Sequence, residues 1–177
     1  MNKLSAGQIA SLIFYRQNDF SGKKVSDRQL KDGSWIHQRL GYNQEEVFVR
    51  YYYHPKTGWW KIVGVPDKII EEEGVVEELK TYITRKDWQS YVGKVQLMVY
   101  LWLTGFTKGR VVLYSMNAKK ITEKQEYEFD KKFFKIIMDT AISLELKIRE
   151  FRKNFEKAQE KIKKGGIKNE VDGSSSN

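Results

Sequence analysis

The chain contains no cysteine. That absence removes disulfides, thiolate metal sites and cysteine-held iron–sulfur clusters together. It also lacks any apolar run long enough to span a bilayer, the longest being Val95 to Leu103 with Gln96 inside it. The apolar stretch Ile9 to Tyr15 is short, interrupted by Ser11 and without a cleavage pattern, so it does not read as a signal peptide. The expectation is a cytoplasmic protein, neither secreted nor membrane-bound. No internal repeat stands out.

What the 177 residues do contain is a large hydrophobic complement, 40% overall, with five Trp and ten Tyr. This excludes a disordered chain and suits one domain with a sizeable core. The expected layout is a single domain over residues 1–164, its core at 33–116 and C-terminal helices at 122–164, followed by a disordered tail at 165–177. The net charge is +9 and unevenly spread: residues 1–60 carry 9 basic and 5 acidic groups, 61–117 carry 8 and 7, and 118–168 carry 15 and 9. Basic flanks around a near-neutral centre fit a polyanionic partner held over a locally acidic site.

That centre runs from Gly64 to Thr81. Two β-rich runs, Lys61 to Ile70 and Val75 to Ile83, flank the acidic turn ending at Gly74, which is a hairpin signal. A turn centred between Glu72 and Glu73 makes facing residue numbers sum to 145. Asp67 then stands opposite Glu78, Lys68 opposite Glu77 and Ile70 opposite Val75. Glu78 and Lys80, two apart, share one face of their strand. Two carboxylates and an amine are thereby gathered on one side of the hairpin. Paired carboxylates repel, and a hard divalent cation such as Mg²⁺ relieves the repulsion.

Further along, Trp88 to Leu103 has helix length and stops at Gly105. It is apolar nearly all round from Val95, hence buried. Gln96 and Tyr100, four apart, stack on one face of it. Either they satisfy buried hydrogen bonds or they line a site wall; their company in the sequence favours the wall. The strand Arg110 to Asn117 follows, so a βαβ crossover and an α/β core with one mixed sheet are expected. Before the hairpin, Glu46 to Tyr53 and Trp59 to Gly64 complete an antiparallel meander.

The Gly-x-x-Asp of Gly64–Asp67, the Glu-x-Lys of Glu78–Lys80, the Gln-x-x-x-Tyr of Gln96–Tyr100 and the upstream His37 together resemble the PD-(D/E)XK nuclease superfamily. Within it they are similar to the RecB-type branch that includes the CRISPR-associated adaptation nucleases. The likeness covers about residues 33 to 116. It implies a restriction-endonuclease-like α/β fold and a metal-dependent deoxyribonuclease, acting as an exonuclease or preferring single strands and free ends. By this resemblance Asp67 and Glu78 hold Mg²⁺ or Mn²⁺ with the Leu79 backbone carbonyl, and His37 adds a nitrogen ligand. Lys80 serves the attacking water or the developing charge, and Gln96 and Tyr100 position substrate or metal shell. The iron–sulfur cluster of some branch members is not implied, because its cysteines are missing. A structure-specific endonuclease and a non-catalytic nucleic-acid binder remain alternatives, and both a monomer and a homo-oligomer stay open.

The rest of the chain is read more coarsely. A helix from Leu4 to Tyr15 is expected, with Ser5 as its N-cap. Residues 17 to 33 read as a loop, and Ser34 to Leu40 as the helix carrying His37. His54 opens a turn and is structural. Tyr51 to Tyr53 and Trp59–Trp60 either stack bases or pair across strands in the core, the core taking at least half of them. Arg85 and Lys86 are candidate phosphate contacts. Residues 122–164 read as one or two helices, with an apolar set of Phe129, Phe133, Ile136, Ile137, Ala141, Leu144 and Ile148.

Overall fold

A computed structural model describes residues 2–17, 27–42 and 45–166. The chain forms two compact units, divided between Ala141 and Ile142. The first contains β1 (Asn2–Ser5), α1 (Ala6–Gln17), α2 (Asp27–Arg39), β2 (Phe48–His54), β3 (Gly58–Gly64) and β4 (Lys68–Ile70). A 3₁₀ turn (Glu71–Glu73), β5 (Val75–Tyr82), α3 (Asp87–Thr104), β6 (Lys108–Ser115) and β7 (Lys120–Glu128) follow, and then α4 (Lys131–Gly166) begins.

The strands form two ladders, not the single sheet expected. One has the order β1-β3-β2, with β1 parallel and β2 antiparallel to β3; the other has the order β4-β5-β6-β7. The run Lys61 to Ile70 is therefore split between sheets. Pro66 explains the break, since it has no N–H for a ladder and Val65-Pro66-Asp67 belong to neither strand. Gly64 sits just before it, where a Cβ would lie 2.8 Å from both Leu103 Cδ1 and Tyr100 Cε1. The missing side chain lets β3 approach α3 closely.

The central hairpin has the expected register: Lys68↔Glu77, Ile69↔Val76 and Ile70↔Val75. Its turn is closed by Gly74, at φ 65°, a left-handed position that disfavours side chains. β5 then runs parallel to β6 through the α3 crossover. Val95, Leu97, Met98, Val99 and Leu101 of α3 are buried, as are Val76, Leu79 and Val111–Leu113 of the sheet. α2 lies on this sheet through Ile36, which packs with Tyr42, Leu79, Val112 and Tyr114.

Several expectations change. Leu4 belongs to β1, not to a helix; Ser5 does cap α1, its Oγ accepting from Gln8 N at 3.2 Å while Gln8 Oε1 accepts from Ser5 N at 2.8 Å. The expected loop at 17–33 is helical from Asp27, and its residues 18–26 lie outside those described. Residues 122–128, expected as helix, form the edge strand β7 paired antiparallel with β6. Their half-buried positions alternate at Glu123, Gln125 and Tyr127, a period of two that composition rich in helix formers conceals. The helix starts only after Asp130, whose Oδ1 accepts from Lys132 N and Phe133 N at 2.9 and 3.0 Å. Phe129 therefore precedes α4, Ile136 is exposed, and Phe134 and Met138 are buried in its place.

The second unit is the remainder of α4. From Arg149 to Lys163 it is exposed and charge-dense, with Arg149 Nε on Glu145 Oε1 at 2.8 Å and the Phe151 and Phe155 rings stacked at 6.3 Å. Gly165 and Gly166 continue the helix, and the tail expected beyond them lies outside the described residues.

Candidate active site

Strand alternation places Glu78 and Lys80 on the face of β5 that meets α3. Lys80 Nζ lies 2.5 Å from Glu78 Oε1 and donates a short hydrogen bond to Gln96 Oε1. Gln96 Nε2 in turn donates to the Tyr100 hydroxyl at 3.4 Å. The four side chains thus form one continuous polar chain along an otherwise apolar interface. Gly93, one α3 turn before Gln96, lets the helix approach the sheet: a Cβ there would sit 2.7 Å from Val111 Cγ1 and 3.3 Å from Lys80 Cγ.

Asp67, in the break before β4, reaches β5 from the other side. Its Oδ2 accepts from Leu79 N at 2.8 Å, and its Oδ1 lies 3.4 Å from His37 Nδ1. α2 supplies that histidine, held in place by the packing of Ile36 one residue earlier. So the structure joins His37, Asp67 and Leu79 in one group and Glu78, Lys80, Gln96 and Tyr100 in another. The two groups adjoin at Asp67 and Glu78, whose carboxylates interact electrostatically.

Electrostatics mark that meeting point. Glu78 is 1% exposed, and its Oε2 has no hydrogen-bond partner. Burial first, then the neighbouring Asp67 charge, pushes its carboxyl up to about 8 against the pull of Lys80. Burial, with Glu78 and Asp67 behind it, also raises the Tyr100 phenol, so that group stays neutral. Among the described residues, no three His, Cys, Asp or Glu side chains converge as a ready cage for a metal. The donor set instead centres on a carboxylate pair. An orphaned, buried carboxylate oxygen beside a second carboxylate is a donor set that suits a hard divalent cation.

The candidate phosphate contacts are placed differently. Arg85 Nη2 is paired with Glu123 Oε2 of β7 at 2.8 Å. Lys86 opens α3, its N–H on Gln89 Oε1 at 2.9 Å. Neither joins the polar chain. His54 is buried at the end of β2, its Nδ1 3.0 Å from Thr57 Oγ1, which also accepts from Trp60 Nε1 at 2.8 Å.

Sequence reasoning missed a second buried carboxylate. Glu77, on the opposite face of β5, accepts from the Tyr42 hydroxyl at 2.6 Å and lies 3.5 Å from Arg110 Nη1. Arg110 also pairs with Glu73 at 2.7 Å and Glu126 at 3.0 Å. Period-two alternation puts Glu77 and Glu78 on opposite faces, but nothing local to residue 77 announces a partner 35 residues away.

The fold around this site is a nuclease-like α/β architecture. A phage-related exonuclease from Haemophilus somnus 129PT superposes on it with a TM-score of 0.50, over 85% of this chain and 82% of that one, at 12% identity. SSO0001 superposes with a TM-score of 0.61, over 81% and 76%, at 21% identity. An alkaline exonuclease from Laribacter hongkongensis covers 90% and 94% at 15% identity, but its TM-score of 0.44 is too low to argue from. No protein-family model and no curated protein matches the chain. At these identities the likeness is one of fold.

Proposed function

We propose that the protein is a divalent-metal-dependent nuclease of the RecB-like PD-(D/E)XK type, hydrolysing phosphodiester bonds in DNA at single strands or free ends. The observation that carries this reading is the buried Glu78, with one oxygen on Lys80, the other unpartnered, and Asp67 beside it. Such an arrangement costs stability and contributes nothing to packing. It is what a cation site needs.

Asp67, Glu78, the Leu79 carbonyl and His37 are the groups that would hold Mg²⁺ or Mn²⁺. When bound, such a cation supplies Lewis acidity toward phosphoryl oxygens and acidifies water. One imidazole among oxygen donors favours Mn²⁺ as the better supporter of activity. Lys80 stabilises negative charge developing at the attacked phosphate, at a position set by its hydrogen bond to Gln96. Tyr100, a neutral phenol, holds Gln96 and so fixes the direction of the Lys80 amine. Arg85 and Lys86 meet flanking phosphates, Arg85 exchanging Glu123 for the substrate.

The test is degradation of end-labelled single- and double-stranded DNA with Mg²⁺, Mn²⁺ or EDTA, for wild type and Glu78→Ala. Metal-dependent cutting that is lost in Glu78→Ala is expected, and the product ladder separates end-directed from internal cleavage. Salt-sensitive binding without cleavage under any metal would replace this reading with a non-catalytic binder. Cleavage surviving in Glu78→Ala would displace the site.

A further inference from the structure

The three-stranded sheet has a face that none of this chemistry uses. Its inner residues Leu4, Trp60 and Ile62 are buried. Alternation sends Lys3 and Ser5 of β1, Trp59, Lys61 and Val63 of β3, and Val49, Tyr51 and Tyr53 of β2 to the other side. There Tyr51 is 53% exposed, Tyr53 55% and Trp59 58%. The register interleaves rings and cations: Tyr51 faces Lys61, Lys61 faces Lys3 on its far side, and Tyr53 faces Trp59 with ring centroids 5.2 Å apart. Among the described residues, none of these outward strand positions is acidic.

We infer that this sheet face is a binding platform for single-stranded nucleic acid, separate from the carboxylate site. A solvated sheet face ordinarily alternates polar residues outward. Three large aromatic side chains in the outward positions instead offer flat apolar area on which unstacked bases can stack. Rings for bases and lysines for phosphates, with no carboxylate to repel the backbone, is the chemistry of strand-tracking surfaces. Duplex DNA, its bases stacked inside, presents nothing for the rings. A second copy of this chain would bury the rings but would place Lys3 and Lys61 near their own kind, a like-charge penalty. In sequence the platform lies close to the other site, β3 ending at Gly64 and Asp67 following three residues later.

Binding is measured in EDTA, so the result does not depend on cleavage. Fluorescein-labelled oligo-dT, oligo-U and a DNA duplex are titrated by anisotropy into wild type, Tyr51→Ala, Trp59→Ala and Lys61→Ala. Each ring deletion is expected to weaken single-strand binding about ten-fold or more while leaving duplex binding unchanged. Lys61→Ala lowers the salt dependence of single-strand binding by about one counterion. Tyr51→Phe and Trp59→Phe, which keep a ring, retain most of the affinity. Should the alanine variants misfold, photocrosslinking wild type to oligo-dT must place the adduct within residues 3–5 or 49–63. Folded ring deletions with undiminished oligo-dT affinity, or crosslinks elsewhere, overturn the inference. So does a wild-type dimer in sedimentation that Trp59→Ala dissociates while single-strand affinity stays constant, which would make the face a contact between copies.

Discussion

Lys80 and Glu78 form an ion pair at 2.5 Å in which the carboxylate is almost wholly buried and the amine is about one-fifth exposed. One oxygen of Glu78 is satisfied by that contact and the other by nothing. Keeping such a carboxylate ionised costs free energy, a cost that a bound cation would offset.

A metal-linked melt follows from this. Adding Mn²⁺ should raise the melting temperature of wild type, by about 2.7 kcal/mol of stabilisation at a hundred-fold excess over the dissociation constant. Glu78→Ala should show no comparable rise in a thermal scan followed by circular dichroism. Equal responses in the two proteins would remove Glu78 from the cation site.

The pH dependence of the metal-free protein has a definite sign. The Glu78 carboxyl moves from an ordinary 4.5 to about 8 on folding, so between those values the folded chain binds more protons than the unfolded one. Stability from this group is therefore complete below about pH 4.5 and is lost as pH rises toward 8. Urea titrations in EDTA should show that decline in wild type and a flatter profile in Glu78→Gln. A cation must displace the same proton, so apparent Mn²⁺ affinity should climb through this window.

Tyr42→Phe tests the other carboxylate. The lost hydroxyl leaves Glu77 Oε2, buried, without its 2.6 Å donor. Hydrogen bonds to charged groups contribute about 1.5–3 kcal/mol, and urea denaturation should register a loss of that order. An unchanged midpoint would mean that Arg110, at 3.5 Å, and Lys124, whose Nζ lies 3.6 Å from Glu77 Oε1, already satisfy Glu77.

Gly64→Ala probes the close approach of β3 to α3. The added methyl meets Leu103 and Tyr100, both anchored on a buried helix, at 2.8 Å. Overpacking of this kind costs about 1–3 kcal/mol. Because Tyr100 is one of the two contacts, any DNA cleavage should fall more than the stability loss alone explains. A variant as stable and active as wild type would show that α3 yields easily.

Local periodicity by itself determined a good deal. The register of the central hairpin, the shared face of Glu78 and Lys80, and the opposite face of Glu77 all follow from a period of two and a turn centre at 72–73. The span of α3 and the stacking of Gln96 over Tyr100 follow from a period of 3.6 and the stop at Gly105. The outward and inward sorting of Tyr51, Tyr52 and Tyr53 is the same rule applied to a run of identical residues.

Tertiary structure decided which periodic faces meet. β1 pairs with β3 across more than fifty residues, and Tyr42 finds Glu77 across 35. Gln96, on a helix, becomes the partner of Lys80, on a strand, because the crossover lays α3 over β5. Residues 120–128 have good helix formers, yet the open edge of β6 offers a ladder that a helix would leave unpaired. Alternation and helical spacing are properties of neighbours along the chain. Partner choice between distant segments is set by which unpaired edges and apolar faces compaction brings together, and no window of sequence contains that information.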